Sequence, residues 1–398
     1  MKRFSIILLG ALAILMAGCS KDVHTASKES DDWTINVNLP VPIEFGSASL
    51  ATKAGISSLA DLAATDNFIG IYAVDKKAVS LTAADALLLN NRRACCVLDE
   101  ENSAANIVFG AKDAQTVEYY PLLSERNYSF YAYYAHNTAG NVDLSEPETT
   151  STQVLVPMSV ATRTSDILWA RAEAVEEVAA NGLTYDGFNA AYIRKIGKEP
   201  VLNFEHVTAQ IAFRAVLVSE EGASVPTSVS VKNMHLLDVP VKASLCVMDI
   251  AAPENCGEFF NTTNAESTTI YYYGWYGETP TSLKNATSQN LNASDFTDIG
   301  EPIYVVPGND PLTLSMSIEF EINGEKKEQI VSYELNPKDL GSVVPEGKRL
   351  FEAGYKYGFN IIIYSPEQIK IDVTVEEYES AFGTDDNGDD VYADITIE

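Results

Sequence analysis

The residue whose surroundings most directly specify chemistry is Cys19. Lys2 and Arg3 precede an apolar run from Phe4 to Ala17, and the run ends in Met16-Ala17-Gly18-Cys19-Ser20. Such a run is too short to span a bilayer comfortably and reads as an export leader. Small residues ahead of a cysteine at its end match a bacterial lipobox, with Met16 standing where leucine is usual. The chemistry expected is removal of residues 1–18 and lipidation of Cys19, which then tethers the new N-terminus to a membrane. An ordinary secretory leader cleaved nearby is the alternative.

The other reactive side chains form no catalytic pattern. Cys95 and Cys96 are adjacent and cannot join without backbone strain. Cys246 and Cys256 flank the turn-like segment Ala251 to Asn255, a spacing open to either a local bridge or two free thiols. No C-x-x-C spacing supports a metal site. His24, His136, His206 and His235 are scattered, with no H-E-x-x-H. A G-x-S-x-G elbow and a phosphate-cradling loop are also missing. The run Asp385-Asp386-Asn387-Gly388-Asp389-Asp390 has the alternating oxygens of a calcium loop, but Thr396 stands where the closing glutamate should lie. It reads as a solvated hinge. The densest aromatic cluster is Tyr271, Tyr272, Tyr273, Trp275 and Tyr276. Its rings suit either stacking against a sugar or packing within a sheet. We therefore expect no enzyme, no cofactor and no metal, and turn to structural and binding roles.

The composition agrees. The chain has 398 residues, 46% of them hydrophobic, enough for two cores at about 150 residues per domain. Lys+Arg 27 against Asp+Glu 56 leaves a net charge of −29, which disfavours nucleic acid and anionic membrane surfaces as partners.

Several elements would have to position these residues. Residues 19–32 are polar and without periodicity, a tether. Thr34 to Phe45 alternates strictly: Ile35, Val37, Leu39, Val41, Ile43 and Phe45 against Asn36, Asn38, Pro40, Pro42 and Glu44. A period of two predicts a half-buried strand, and prolines on its polar phase place it at a sheet edge. Ser57 to Ala64 reads as a helical turn, Phe68 to Val74 as a strand and Leu81 to Asn91 as a short helix. Val117 to Pro121 and Tyr128 to Ala135 read as aromatic strands, and residues 138–152 as loop. Asp166 to Ala180 has good helix formers, a Thr164-Ser165-Asp166 start and a stop at Gly182. From Pro200 onward the pattern is almost purely strand, including Ala209–Val218, Ser228–Val231, Ile270–Tyr273, Ile303–Val306, Leu312–Ile322, Gln329–Leu335, Lys356–Tyr364 and Ile369–Val375. Near the C-terminus Val391, Ala393, Ile395 and Ile397 again share one phase. The fold class expected is all-β, two tandem β-sandwich domains at 33–200 and 201–398, with a few short helices in the first.

These segments also resemble a family. Tyr128-Ser129-Phe130-Tyr131-Ala132-Tyr133-Tyr134 is similar to the fimbrillin pattern F-x-A-Y-Y, and Asp166-Ile167-Leu168-Trp169-Ala170 resembles its D-x-L-x-A. Val201 to Phe213 is similar to L-x-F-x-H-x-x-A-x-I-x-F, and Phe351 to Tyr357 to F-x-A-G-x-x-Y. The motifs fall in the expected order behind the lipobox. The resemblance implies type V pilus subunits or surface adhesins, with transthyretin-like domains, carried to the outer membrane by the lipid on Cys19. It further implies a trypsin-like processing protease cutting between Lys53 and Ala54, where the family often has arginine. The first strand would then leave, and a strand from another subunit would take its place by β-augmentation. In this chain Val391 to Ile397 is the donor candidate. An outer-membrane glycan-binding lipoprotein using the Tyr271–Tyr276 rings is the alternative function.

Overall fold

In a computed structural model the described residues are 40–377, apart from 47–48, 51–62, 64–67, 99–104, 123–124, 136–146, 160–165, 175, 181–182, 220–225, 241, 261–267, 276, 288–290, 338–348 and 366–367. The first half contributes strands β1 (Ser49–Leu50), β2 (Ile69–Asp75), β3 (Leu87–Leu98), β4 (Ala105–Ala111), β5 (Ala114–Thr116) and β6 (Tyr128–Ala135). There follow β7 (Glu148–Thr149), β8 (Gln153–Ser159), β9 (Ile167–Ala172), β10 (Val178–Ala180), β11 (Leu183–Tyr185), helix α1 (Ala190–Ile196) and β12 (Asn203–His206). The second half runs β13 (Ala209–Ser219), β14 (Ser228–Val239), β15 (Lys242–Asp249), β16 (Phe259–Phe260), β17 (Thr268–Tyr273), β18 (Thr281–Ser282) and β19 (Asn285–Thr287). It closes with β20 (Thr297–Val305), β21 (Leu312–Ile322), β22 (Glu325–Leu335), β23 (Tyr355–Ser365) and β24 (Gln368–Glu377).

One sheet of eight strands dominates the first half, in the order β1-β12-β9-β6-β2-β3-β4-β5. Both of its faces are covered, which is why β6 is buried at every position. Tyr128, Phe130, Ala132 and Tyr134 enter one core with Ile69, Ile71, Leu168, Ala170 and Phe204. Tyr131, Tyr133 and Ala135 face a second core with Tyr72, Val74, Val154, Val156, Leu245 and Val247. That second core is closed by a four-stranded sheet, β16-β15-β8-β7. Its central pair joins strands from either side of residue 200, with Leu245 opposite Val156 and Cys246 opposite Leu155. In the second half, sheets around β13-β23 and β14-β21 enclose a third core that includes Ile211, Phe213, Leu236, Met316, Phe320 and Phe359. The four described cysteines are free.

The all-β expectation holds, but two helices do not form. Leu81 to Asn91 passes through turns into β3, because Leu89 serves the first core while Leu81 serves the second. Asp166 to Ala180 supplies β9 and β10. Its residues Leu168 and Ala170 enter the first core while Ile167 and Trp169 pack on the second, so burial on both faces overrides local helix propensity. Val117 to Pro121 makes one bridge, at Tyr119, rather than a strand. The described helix that does form, α1, is capped at both ends. Asn189 Oδ1 accepts the Tyr192 amide at 2.8 Å, and Gly197 closes the helix with φ +68°. Ser57 to Ala64 lies almost wholly outside the described residues.

Candidate assembly groove

Residues 40–46 lie extended across the first core. Val41, Ile43 and Phe45 are buried, whereas Pro40 and Glu44 are exposed. The alternation in the sequence thus becomes a buried face and a solvent face. Pro42 sits opposite Tyr119 in an isolated antiparallel bridge. On either side of it the Ile43 N–H donates to Glu118 C=O at 2.8 Å, and the Tyr120 N–H donates to Val41 C=O at 3.0 Å. Pro42 therefore occupies the position of the pair that requires no N–H from it. Farther on, the Gly46 N–H donates to Pro200 C=O at 3.0 Å. Then β1 pairs in parallel with β12, Ser49 opposite Asn203 and Leu50 opposite Phe204, and forms one edge of the eight-stranded sheet. The described part of the predicted strand, residues 40–45, is thus a docked segment with one bridge, and the edge strand β1 follows it outside the predicted bounds.

An aromatic chain walls the groove. Phe45 meets Phe130 edge-on at 5.5 Å between ring centroids and Phe109 at 5.7 Å. Phe130 in turn meets Tyr120 at 6.3 Å and Phe188 at 5.8 Å, and Phe188 meets Tyr192 on α1 at 5.5 Å. The lip that carries Glu118 is tied to β3 by the Arg92–Glu118 ion pair. Burying each of Val41, Ile43 and Phe45 is worth about 1.5–3 kcal/mol. Each backbone hydrogen bond contributes only about 0.5–1.5 kcal/mol net. Side chains in the groove therefore hold the segment, and its ladder does little.

The remaining predicted site residues divide. Cys19, Ile35, Val37, Leu39, Lys53, Ala54, Val391, Ala393, Ile395 and Ile397 lie outside the described residues, as does Tyr276. The aromatic cluster splits: Tyr272 and Tyr273 are core residues, and Tyr271 and Trp275 are exposed. His206 is buried against Asp166, with Nδ1 2.8 Å from Oδ1. This pair ties the end of β12 to the start of β9. Among the described residues no three His, Cys, Asp or Glu side chains converge as a metal site. Sequence reasoning missed Phe109, Tyr120 and Phe188 as groove walls. Their spacing along the chain carries no signal, since only the topology brings them together.

Solved structures similar to this chain include two fimbrial ones. A fimbrial protein from Bacteroides vulgatus is similar at a TM-score of 0.51 and 13% identity, over 84% of this chain and 99% of that one. A fimbrial assembly protein from Parabacteroides distasonis aligns at a TM-score of 0.37 and 10% identity, over 85% of this chain and 100% of that one. A search of curated proteins finds none that matches. Residues 54–377 match the fimbrillin-like family. That match spans most of the sequence, and the chain belongs to the fimbrillin-like family.

Proposed function

We propose that the chain is a structural subunit or adhesin of a cell-surface fimbrium, assembled through the groove that residues 40–46 fill. The observation that carries this reading is the mismatch within that segment. Three buried side chains fit an aromatic-walled groove, yet among the described residues only three backbone hydrogen bonds hold the segment. A segment docked in this way can be exchanged for another with the same alternation. In the reading proposed, lipid on Cys19 holds the precursor at the outer membrane. A processing protease cuts between Lys53 and Ala54, and the released piece carries off the anchor, the docked segment and β1. The vacated groove then takes Val391, Ala393, Ile395 and Ile397 of a neighbouring subunit. The incoming backbone bonds to Glu118 and Tyr120, and the side chains fill the places of Val41, Ile43 and Phe45. In the uncut chain the Glu118 C=O already accepts there and the Tyr120 N–H already donates. The test is to mix cut subunits with and without residues 391–398. Full-length subunits should form SDS-resistant oligomers. The truncated ones should stay monomeric with unchanged thermal unfolding, and normal polymers from them would refute this donor.

A further inference from the structure

The outer face of the β14-β21-β22 sheet carries a feature that assembly through the first-half groove does not use. In cross-strand register Tyr271 lies beside His235, His235 beside Ser315, and Ser315 beside Ser332. Their chain neighbours Ile270, Leu236 and Leu314 point into the core, so this row points away from it. Trp275 folds back over the row from the turn after β17. Its ring lies 4.7 Å from Tyr271 and 6.1 Å from His235, and His235 lies 6.3 Å from Tyr271. Gly274 makes this return possible: its φ is +86°, and a Cβ there would lie 2.0 Å from the Lys232 carbonyl oxygen. Trp275 is 52% exposed and Tyr271 41% exposed. A turn that only glycine can make thus presents two large rings to solvent.

We propose that Tyr271, Trp275 and His235 form a binding platform for a neutral glycan, independent of the assembly groove. The rings offer two tilted apolar surfaces of about the width of one or two pyranose rings, at 56° to each other. Beside them the face supplies the exposed Ser332 hydroxyl and the half-buried Asn233 amide, groups suited to a polyhydroxylated ligand. Burial holds the His235 imidazole below its ordinary pKa, so it meets the ligand as a neutral hydrogen-bonding group. Two ion pairs lie on the face, Lys232 with Glu328 and Lys326 with Glu319, each at 2.7 Å. Glu334 flanks the row, and the whole chain carries −29, which opposes acidic sugars. A second protein is a poor occupant. Stable protein interfaces cover roughly 800 Å² per partner around an apolar centre. Beyond the rings, the large apolar side chain most exposed on this face is Ile330.

The test is affinity electrophoresis of residues 20–398 in native gels containing yeast mannan, galactomannan or laminarin, with heparin and polygalacturonate as acidic comparators. At least one neutral polymer should retard the protein and shift its tryptophan emission. Trp275→Ala should weaken that interaction about tenfold or more, and Tyr271→Ala several-fold, with unchanged thermal unfolding. The proposal is overturned if none of the three neutral polymers retards the chain, if Trp275→Ala is retarded as strongly as the parent, or if only the acidic polymers bind. Self-association that Trp275→Ala abolishes, without any retardation, would overturn it in favour of a contact between copies. Loss of the assembly groove, by contrast, should leave the retardation intact.

Discussion

Replacing Phe45 by alanine tests how the docked segment is held. The ring is 6% exposed and closes the aromatic chain through Phe109 and Phe130. Truncating a buried phenylalanine costs about 3–5 kcal/mol where the surroundings cannot collapse. Here the loss has a ceiling. Once the cost exceeds the docking free energy of the segment, residues 40–46 lift away and the rest of the fold remains. The expectation is therefore about 3 kcal/mol, with little further loss when Ile43→Ala is added, a non-additivity diagnostic of a segment that undocks as a unit. For a body above 250 residues each kcal/mol moves the midpoint by about 2 °C, so calorimetry of the uncut chain should show a drop of about 5–8 °C. Glu44→Ala, on the exposed phase of the same segment, should shift it by less than about 1 °C. A Phe45→Ala shift no larger than that of Glu44→Ala would refute the argument that side-chain burial holds the segment. Fully additive losses would refute its independence.

Two further outcomes follow from buried groups. Burial opposes ionisation of Asp249, but hydrogen bonds from Gln153, Asn255 and the Ala251 and Ala252 amides outweigh it and hold the pKa below the usual 3.8. A depressed carboxylate stabilises the fold above its unfolded pKa and loses that contribution as pH falls through the folded one. Asp249→Ala should thus cost about 1.5–3 kcal/mol at pH 7 in chemical denaturation, and the gap should close below about pH 4. A gap independent of pH would refute the charged role. Burial also pushes the Cys96 thiol up to about 11 and Cys246 up to about 12. At pH 8 the folded chain from residue 20 should react slowly with a disulfide reagent and release all four thiols in denaturant. Only two released thiols would reveal a bridge between Cys246 and Cys256.

Much of the fold was legible where one face of a strand meets a core and the other meets water. Val41, Ile43 and Phe45 are buried in the phase their spacing predicts, and Pro42 takes the one kind of pairing position that tolerates it. Leu312 to Ile322 forms a strand with the predicted bounds. Where both faces are covered the result depended on residue type: the aromatic run Tyr128 to Ala135 was read as a strand, but β9 was not. In β9 the residues Ile167-Leu168-Trp169-Ala170-Arg171-Ala172 show no polar phase, and alanine, leucine and arginine then read as helix. The sheet pairing β8 with β15 was also hidden, since its partners are far apart in sequence and neither announces the other. Of the exposed aromatic platform the sequence showed the rings but not their sorting. Tyr271 and Trp275 reach solvent while Tyr272 and Tyr273 enter the core, and His235 joins from a different strand. Helix α1 was not predicted, although Asn189, Arg194-Lys195 and Gly197 mark its two ends.

The central claim is that the chain is activated by losing its first segment. Limited tryptic digestion of residues 20–398, followed by intact mass and SDS-resistant ladder analysis, tests it most directly. The account predicts one early cut, between Lys53 and Ala54, and high-mass ladders thereafter. Resistance at Lys53, or a clean cut that leaves only monomer, would contradict it.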